Sequence, residues 1–213
     1  MIRSLVLGPV ETNVYFVIND ENNECVIVDP ADKAEVIQGR LRQNGLTAKA
    51  ILLTHGHFDH IAGISGLING SEEKMPIYAA ETEKRLLSDG ELNQSLMVYG
   101  RSITVDVDHY LKDGEEFEAA GISFKCIHTP GHTEGSCCYY IESMKTLISG
   151  DTLFEGSVGR TDLPTGSMKV MMKTIREKIL PIADDTEVYP GHGGVTTIGD
   201  EKRWNPFFND TYI

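Results

Sequence analysis

Residues 54–60, Thr54-His-Gly-His-Phe-Asp-His60, follow directly on the apolar run Ala48 to Leu53 and crowd three histidines and an aspartate behind a single buried-looking strand. Neutral imidazole is the commonest biological metal ligand, and a carboxylate beside it suits zinc, iron or manganese. His55 and His57 are two apart. On an extended chain they project the same way, and a turn at Gly56 brings both onto one ion. Helical periodicity begins at Ile61, so Asp59 and His60 stand at a helix start, displaced from the first pair and able to face a second ion. Outward along the chain, His132 in Thr129-Pro-Gly-His-Thr133 and His192 in Pro190-Gly-His192 each sit in a tight turn after an apolar run. Asp151 follows Ser149-Gly150 in the same manner, and its two oxygens can bridge two cations. Five of the seven histidines fall in these segments, which is what makes them one site rather than scattered surface residues. His109, between Asp108 and Tyr110, reads as an exposed loop residue. His128 reads as a hydrogen-bonding partner behind a ligand.

The elements around these segments alternate. Ile2 to Leu7, Asn13 to Asn19 and Glu24 to Val28 read as a strand meander. Ala34, Ile37 and Leu41 then recur at helical spacing up to Gly45. Ile61, Ile64 and Ile68 share one helical face ending at Gly70, and Ile77 to Ala79 followed by Glu81 to Leu87 forms a third strand–helix pair. The second half repeats the logic with strands at Ile122 to Ile127, Ser136 to Ile141, Thr146 to Ile148 and Thr186 to Tyr189. Its helix carries Met168, Met171, Met172, Ile175 and Ile179 on an inner face, a core stripe rather than a cofactor contact. Residues 113–118 read as an exposed acidic turn entering a strand, and Asn93 to Tyr110 as a loop over the site. Two similar halves of strands and helices predict an α+β fold in which two sheets pack face to face with helices outside. No linker divides the chain, so a single domain over 1–213 is expected.

Composition narrows the function. With 19 Lys and Arg against 32 Asp and Glu, the net charge is −13 and no basic cluster appears, which excludes a nucleic-acid partner. No apolar stretch is long enough to span a bilayer, and the N-terminus lacks the apolar core of a secretory signal, so a cytoplasmic location is expected. Cys25, Cys126, Cys137 and Cys138 form no C-x-x-C pair and read as buried thiols, with Cys137 and Cys138 on opposite faces of one strand.

Taken together, Thr54-His-x-His-x-Asp-His60, Thr129-Pro-Gly-His-Thr133, Gly150-Asp-Thr152 and Pro190-Gly-His192 resemble the metallo-β-lactamase superfamily. Ser149-Gly-Asp-Thr-Leu-Phe154, Gly159-Arg-Thr-Asp-Leu-Pro164 and Glu201 with Asn205-Pro-Phe-Phe208 look like its short glyoxalase II-like hydrolases. The resemblance implies a four-layer αββα sandwich with a metal site at one edge. His55, His57 and His132 would hold one divalent ion, Asp59, His60 and His192 a second, and Asp151 would bridge them, with zinc expected first and iron or manganese as alternatives. It further implies hydrolysis of S-lactoylglutathione or a related acyl thioester by a metal-bridging hydroxide oriented by Asp59. A small-molecule thioester, of glutathione or of another thiol, would be the partner, with no nucleic acid and no membrane. The sequence departs from the long glyoxalase II enzymes: Gly193 and Gly194 stand where they carry a glutathione-binding tyrosine, and no separate C-terminal helical substrate-binding domain is expected. Arg160 occupies the place of their lysine. It reads either as a substrate-carboxylate contact or as a structural partner of Asp162. The rival on the same motif is a persulfide dioxygenase with one iron; the Pro190-Gly-His-Gly-Gly194 ending favours the hydrolases. A hydrolase of another small ester or amide is the remaining alternative.

Overall fold

In the computed structural model, which describes residues 1–71 and 74–208, the chain begins with an antiparallel meander: β1 (Ile2–Leu7), β2 (Thr12–Asn19) and β3 (Glu24–Val28). Helix α1 (Ala34–Asn44) ends at Gly45, whose φ of 62° lets its N–H return to the carbonyls of Leu41 and Arg42. Strand β4 (Thr47–Leu52) joins β3 in parallel, and the short helices α2 (Phe58–Ile61) and α3 (Ile64–Asn69) follow. β5 (Ile77–Ala80) leads through a 3₁₀ turn into α4 (Lys84–Leu87). After α5 (Ser95–Tyr99), β6 (His109–Leu111) completes a first mixed sheet in the order β1-β2-β3-β4-β5-β6.

The second half runs β7 (Glu116–Ala119), β8 (Ile122–His128), β9 (Cys137–Ile141) and β10 (Thr146–Gly150), then the small hairpin β11 (Leu153–Phe154) and β12 (Ser157–Val158). Helix α6 (Met168–Thr174) continues through a π turn to Ile179, before β13 (Glu187–Pro190), β14 (Thr196–Thr197) and α7 (Ile198–Trp204). The second sheet has the order β14-β13-β10-β9-β8-β7, again mixed.

Alternation along the strands sets the layers. On β2, Tyr15 and Val17 face a central core shared with Phe124, Cys126, Tyr139 and Ile148 of the opposite sheet. Val14, Phe16 and Ile18 point the other way, onto Ile37 of α1 and Ile64 and Leu67 of α3. The second sheet does the same: Cys138, Leu147 and Val188 pack on Met171, Ile175 and Ile179. Period-2 burial on both faces of a strand requires cover on both sides, and the result is the αββα sandwich. All four cysteines are buried and free, and neighbouring Cys137 and Cys138 enter different cores as expected. Among the described residues, no helix is long and apolar enough to cross a membrane.

Three expectations require correction. Ile61, Ile64 and Ile68 do not share one helix face: the chain breaks between α2 and α3, Leu67 is buried in place of Ile68, and Ile68 is 45% exposed. The break comes from Gly63, whose N–H is drawn 2.8 Å from the Pro30 carbonyl instead of serving a continuous helix. Met168 is exposed, because the inner face of α6 starts at Met171. The stretch read as a loop, Asn93 to Tyr110, contains α5 and the start of β6, and His109 is an exposed edge-strand residue stacked on Tyr78.

A Cβ added at Gly63 would lie 2.6 Å from the Pro30 carbonyl oxygen, a backbone atom that has little room to retreat. Gly63→Ala is therefore expected to cost about 1–3 kcal/mol by overpacking. Thermal unfolding would show this as a midpoint lowered by several degrees.

Candidate metal centre

The strands end where the ligands begin. β4 hands over to Thr54 and His55, β8 to Thr129 and His132, β10 to Asp151, and β13 to His192. The two sheets are sewn together at that edge: the Cys137 N–H donates to the Thr54 carbonyl at 2.8 Å and the Tyr139 hydroxyl to the Leu53 carbonyl at 2.8 Å. Gly150 has φ of 49°, and a Cβ there would sit 2.4 Å from Thr54 Oγ1, so glycine lets Asp151 turn inward against the first sheet. The last loop is held from the opposite sheet by Asn13 Nδ2, which donates to the carbonyls of Pro190 and Gly193, and by the Tyr15 hydroxyl, which donates to Pro190.

All seven predicted residues converge. Ligand atoms of His55, His57 and His132 lie within 4.8 Å of one another, as do those of Asp59, His60 and His192, and those of His55, His60 and Asp151. Asp151 spans the groups, with one oxygen 3.5 Å from His60 Nε2 and the other 3.5 Å from Nε2 of both His132 and His192. Six of the seven are buried; only His192 is partly open.

Hydrogen bonds fix which nitrogen each ring offers. His132 Nδ1–H donates to the Arg160 carbonyl at 2.7 Å and His192 Nδ1–H to the Val10 carbonyl at 3.1 Å, since a carbonyl can only accept. His60 Nδ1–H donates to Asp29 Oδ2 at 2.9 Å. The Thr54 hydroxyl spends its hydrogen on the same Asp29 oxygen at 2.6 Å, so it accepts from His55 Nδ1–H at 3.1 Å. Each of these four imidazoles therefore turns its Nε2 inward, which offers a lone pair once it carries no proton. His57 differs: its Nδ1 faces His132 Nε2 at 2.8 Å. His55 Nε2, His57 Nε2, His60 Nε2 and Asp151 Oδ1 are buried without a hydrogen-bond partner. Orphaned buried acceptors are costly in a protein interior, and this density of them fits a pair of divalent cations.

Electrostatics agree with that fit. Burial, reinforced by the neighbouring histidines, holds His55 below the ordinary imidazole range, and burial with His132 holds His57 at about 3. Both are neutral ligands at physiological pH. Burial would raise the Asp59 carboxyl, but His60 and the bond from His192 keep it well below the usual carboxylate range. Burial also opposes charge on His60, yet Asp59, Asp29 and Asp151 outweigh it and raise that pKa. His192 is raised likewise, by its bond to Asp59 and the Asp151 charge.

Several residues outside the predicted set build the site. Asp29, at the end of β3 and 2% exposed, accepts from Thr54 N and Thr54 Oγ1 as well as His60. Thr12 Oγ1 donates to Asp59 Oδ2 at 2.8 Å. Glu83 accepts from the Gly56 N–H and the Thr133 hydroxyl. Only Asp29 had a visible signal, an acid closing the apolar run Cys25 to Val28. His128 is not a partner of any ligand: its ring bonds the Leu111 carbonyl and its N–H donates to Asp113, because β8 carries it past the site edge. Arg160 pairs through two bonds with Asp162, at 2.7 and 2.8 Å, while its carbonyl positions His132.

A cleft of about 560 Å³ opens onto the ligands. Its remaining walls are Val10, Phe58, Gln94, Met97, Val98, Phe154, Ser157, Val158, Arg160 and Leu163. An apolar wall around a few convergent polar groups is the usual form of a small-molecule site.

Such a sandwich, with a His/Asp cluster at one edge, defines a class of metal-dependent enzymes. The sequence pattern of the Metallo-beta-lactamase superfamily matches residues 7–192, and the chain belongs to that superfamily. It is similar to "Probable metallo-hydrolase YqgX" of Bacillus subtilis, at 39% identity over 97% of each chain. It is also similar to "Hydroxyacylglutathione hydrolase GloC" of Haemophilus influenzae, at 35% identity over 93% of each. Among solved structures, BLEG-1 B3 metallo-beta-lactamase superposes with a TM-score of 0.91 at 41% identity, covering 98% of this chain and 100% of that one. TTHA1623 in a di-iron-bound form gives 0.84 at 33% identity, over 96% and 99%. The chain is thus a metallo-hydrolase of this superfamily.

Cation uptake must displace the protons that the raised pKa values keep on His60 and His192. Zinc titration near pH 7 in weak buffer is expected to release protons, and affinity is expected to weaken as pH falls. A pH-indicator dye reads the first and chelator competition the second.

Proposed function

We propose that this metallo-hydrolase cleaves acyl thioesters, with S-lactoylglutathione as the first substrate to test, at a centre of two divalent cations. His55, His57 and His132 would hold one ion, Asp59, His60 and His192 the other, and Asp151 would span both. When bound, such a pair supplies Lewis acidity, lowering the pKa of water toward neutrality and polarising an acyl carbonyl. Asp59 stays ionised and is fixed by Thr12, so it can orient the attacking water. The similarity to a hydroxyacylglutathione hydrolase supports the substrate class, and the di-iron-bound relative supports two ions, with zinc, iron and manganese all suited to a His/Asp donor set.

The observation that carries the reading is what the cleft lacks. Beyond the proposed ligands, its described lining holds one titratable side chain, Arg160, and Asp162 raises that pKa further. Among the described lining residues, none outside the proposed ligands is suited to protonate a departing amine or alkoxide. A thiolate needs no such help, since a simple thiol has a pKa near about 8.5. No G-x-S-x-G nucleophile is present either. The similarity to a B3 metallo-beta-lactamase makes a β-lactam amide the second reading.

The zinc-loaded chain is expected to hydrolyse S-lactoylglutathione with kcat/KM above about 10⁴ M⁻¹s⁻¹, the lower range for an enzyme on its own substrate. Turnover of a β-lactam but of no thioester would replace the first reading with the second. His57→Ala is expected to abolish hydrolysis while leaving the metal-free melting midpoint nearly unchanged. Arg160→Ala is expected to raise KM for the glutathione thioester more than it lowers kcat, if the guanidinium leaves Asp162 for a substrate carboxylate. An unchanged KM would make the Asp162 pairing its whole role.

A further inference from the structure

We infer that Glu83 is a positioning residue that sets the affinity of one metal group, His55-His57-His132, and leaves the other largely untouched. The inference rests on the binuclear reading above and adds a residue that touches neither substrate nor ion.

Glu83 ends the 3₁₀ turn after β5 and is 1% exposed. A carboxylate so deeply buried has to be tied down by several donors. One oxygen accepts from the Gly56 N–H at 2.7 Å, in the peptide between His55 and His57. Both oxygens accept from the Thr133 hydroxyl at 3.0 Å, in the residue after His132. The Gly135 N–H adds a further bond from the same loop. A Cβ at Gly135 would fall 2.3 Å from the Glu83 nitrogen, so that loop lies directly against the turn.

The donor order is forced. Burial pushes the Glu83 carboxyl up to about 7 against the bonds from Gly56, Thr133 and Gly135; in its ionised form it can only accept, so the Thr133 hydroxyl gives it its hydrogen. Ser136 Oγ, 2.7 Å away, therefore donates to Thr133, and it accepts from the Thr133 N–H at 3.1 Å. One carboxylate thus fixes the separation of two segments that share no sequence proximity and supply all three ligands of one group.

The other group is anchored elsewhere. Asp29 holds His60, Thr12 holds Asp59, and the Val10 carbonyl holds His192. Glu83 bonds none of these anchors. A change at Glu83 should therefore divide the two ions, whereas general destabilisation would weaken both alike.

The test is competition between the full-length chain and a chromophoric chelator for zinc, resolved into two equivalents. Glu83→Gln keeps the volume but replaces one acceptor oxygen with a donor. One of its two equivalents is expected to lose affinity by about tenfold or more, the usual effect of removing a group that orients ligands, with the other within about threefold of wild type. Thr133→Val should shift the same equivalent, and Thr133→Ser, which keeps the hydroxyl, should restore it. The threonine pair decides the matter if Glu83→Gln does not fold. Equal weakening of both equivalents, or no weakening of either, overturns the assignment. A wild-type chain that takes up fewer than two zinc ions instead overturns the binuclear reading on which it rests.

Discussion

The site depends on one buried carboxylate. Asp29 closes β3 with φ of 50°, a left-handed conformation that aspartate tolerates better than most residues. From there it receives the Thr54 N–H, the Thr54 hydroxyl and His60 Nδ1–H. The first two pin the point where β4 stops being a strand, and the third sets the ring of a residue on α2. Through the Thr54 hydroxyl it also decides the tautomer of His55. One side chain thus converts a strand end into an oriented set of lone pairs, and its own charge is balanced by the groups it orients.

That arrangement explains why the edge of the sandwich, rather than its centre, carries the chemistry. The central core between the sheets is apolar and close-packed, with Phe124, Tyr139 and Leu52 fully enclosed. Ionisable groups placed there would lack donors and solvent. At the strand ends the backbone has left the ladders, so free N–H and C=O groups are available to satisfy side chains. The carbonyls of Arg160 and Val10, and the N–H groups of Gly56 and Thr54, are used in that way.

Much of this was legible in the sequence. The ligand segments announced themselves because glycine and proline cluster around histidines after apolar runs, and short apolar and β-branched runs bounded by turns located most strands within a residue or two. What escaped notice had a physical reason. Glu83 lies in Glu81-Thr-Glu83, a string that reads as solvated surface, and only the packing of a distant glycine loop buries it. The α2–α3 break depends on the Pro30 carbonyl, which no local pattern reports. The hairpin β11–β12 and helix α7 are short, and they are coupled by Glu201, which accepts from Gly156, Thr196 and Asn205 across distant stretches of chain. His128 misled because it stands only four residues before His132, yet the turn at Pro130-Gly131 swings His132 into the site while His128 stays on β8 and bonds the Leu111 carbonyl.

Neither half of the molecule owns a complete metal group. The first sheet supplies His55, His57, Asp59 and His60, but one set closes only with His132 and the other only with His192, a loop that Asn13 and Tyr15 grip from across the sandwich. During synthesis the histidine-rich loop is made long before residue 192. A cation pair at this centre would therefore be held tightly only by a polypeptide whose halves have already docked, and would seal the finished fold without nucleating it.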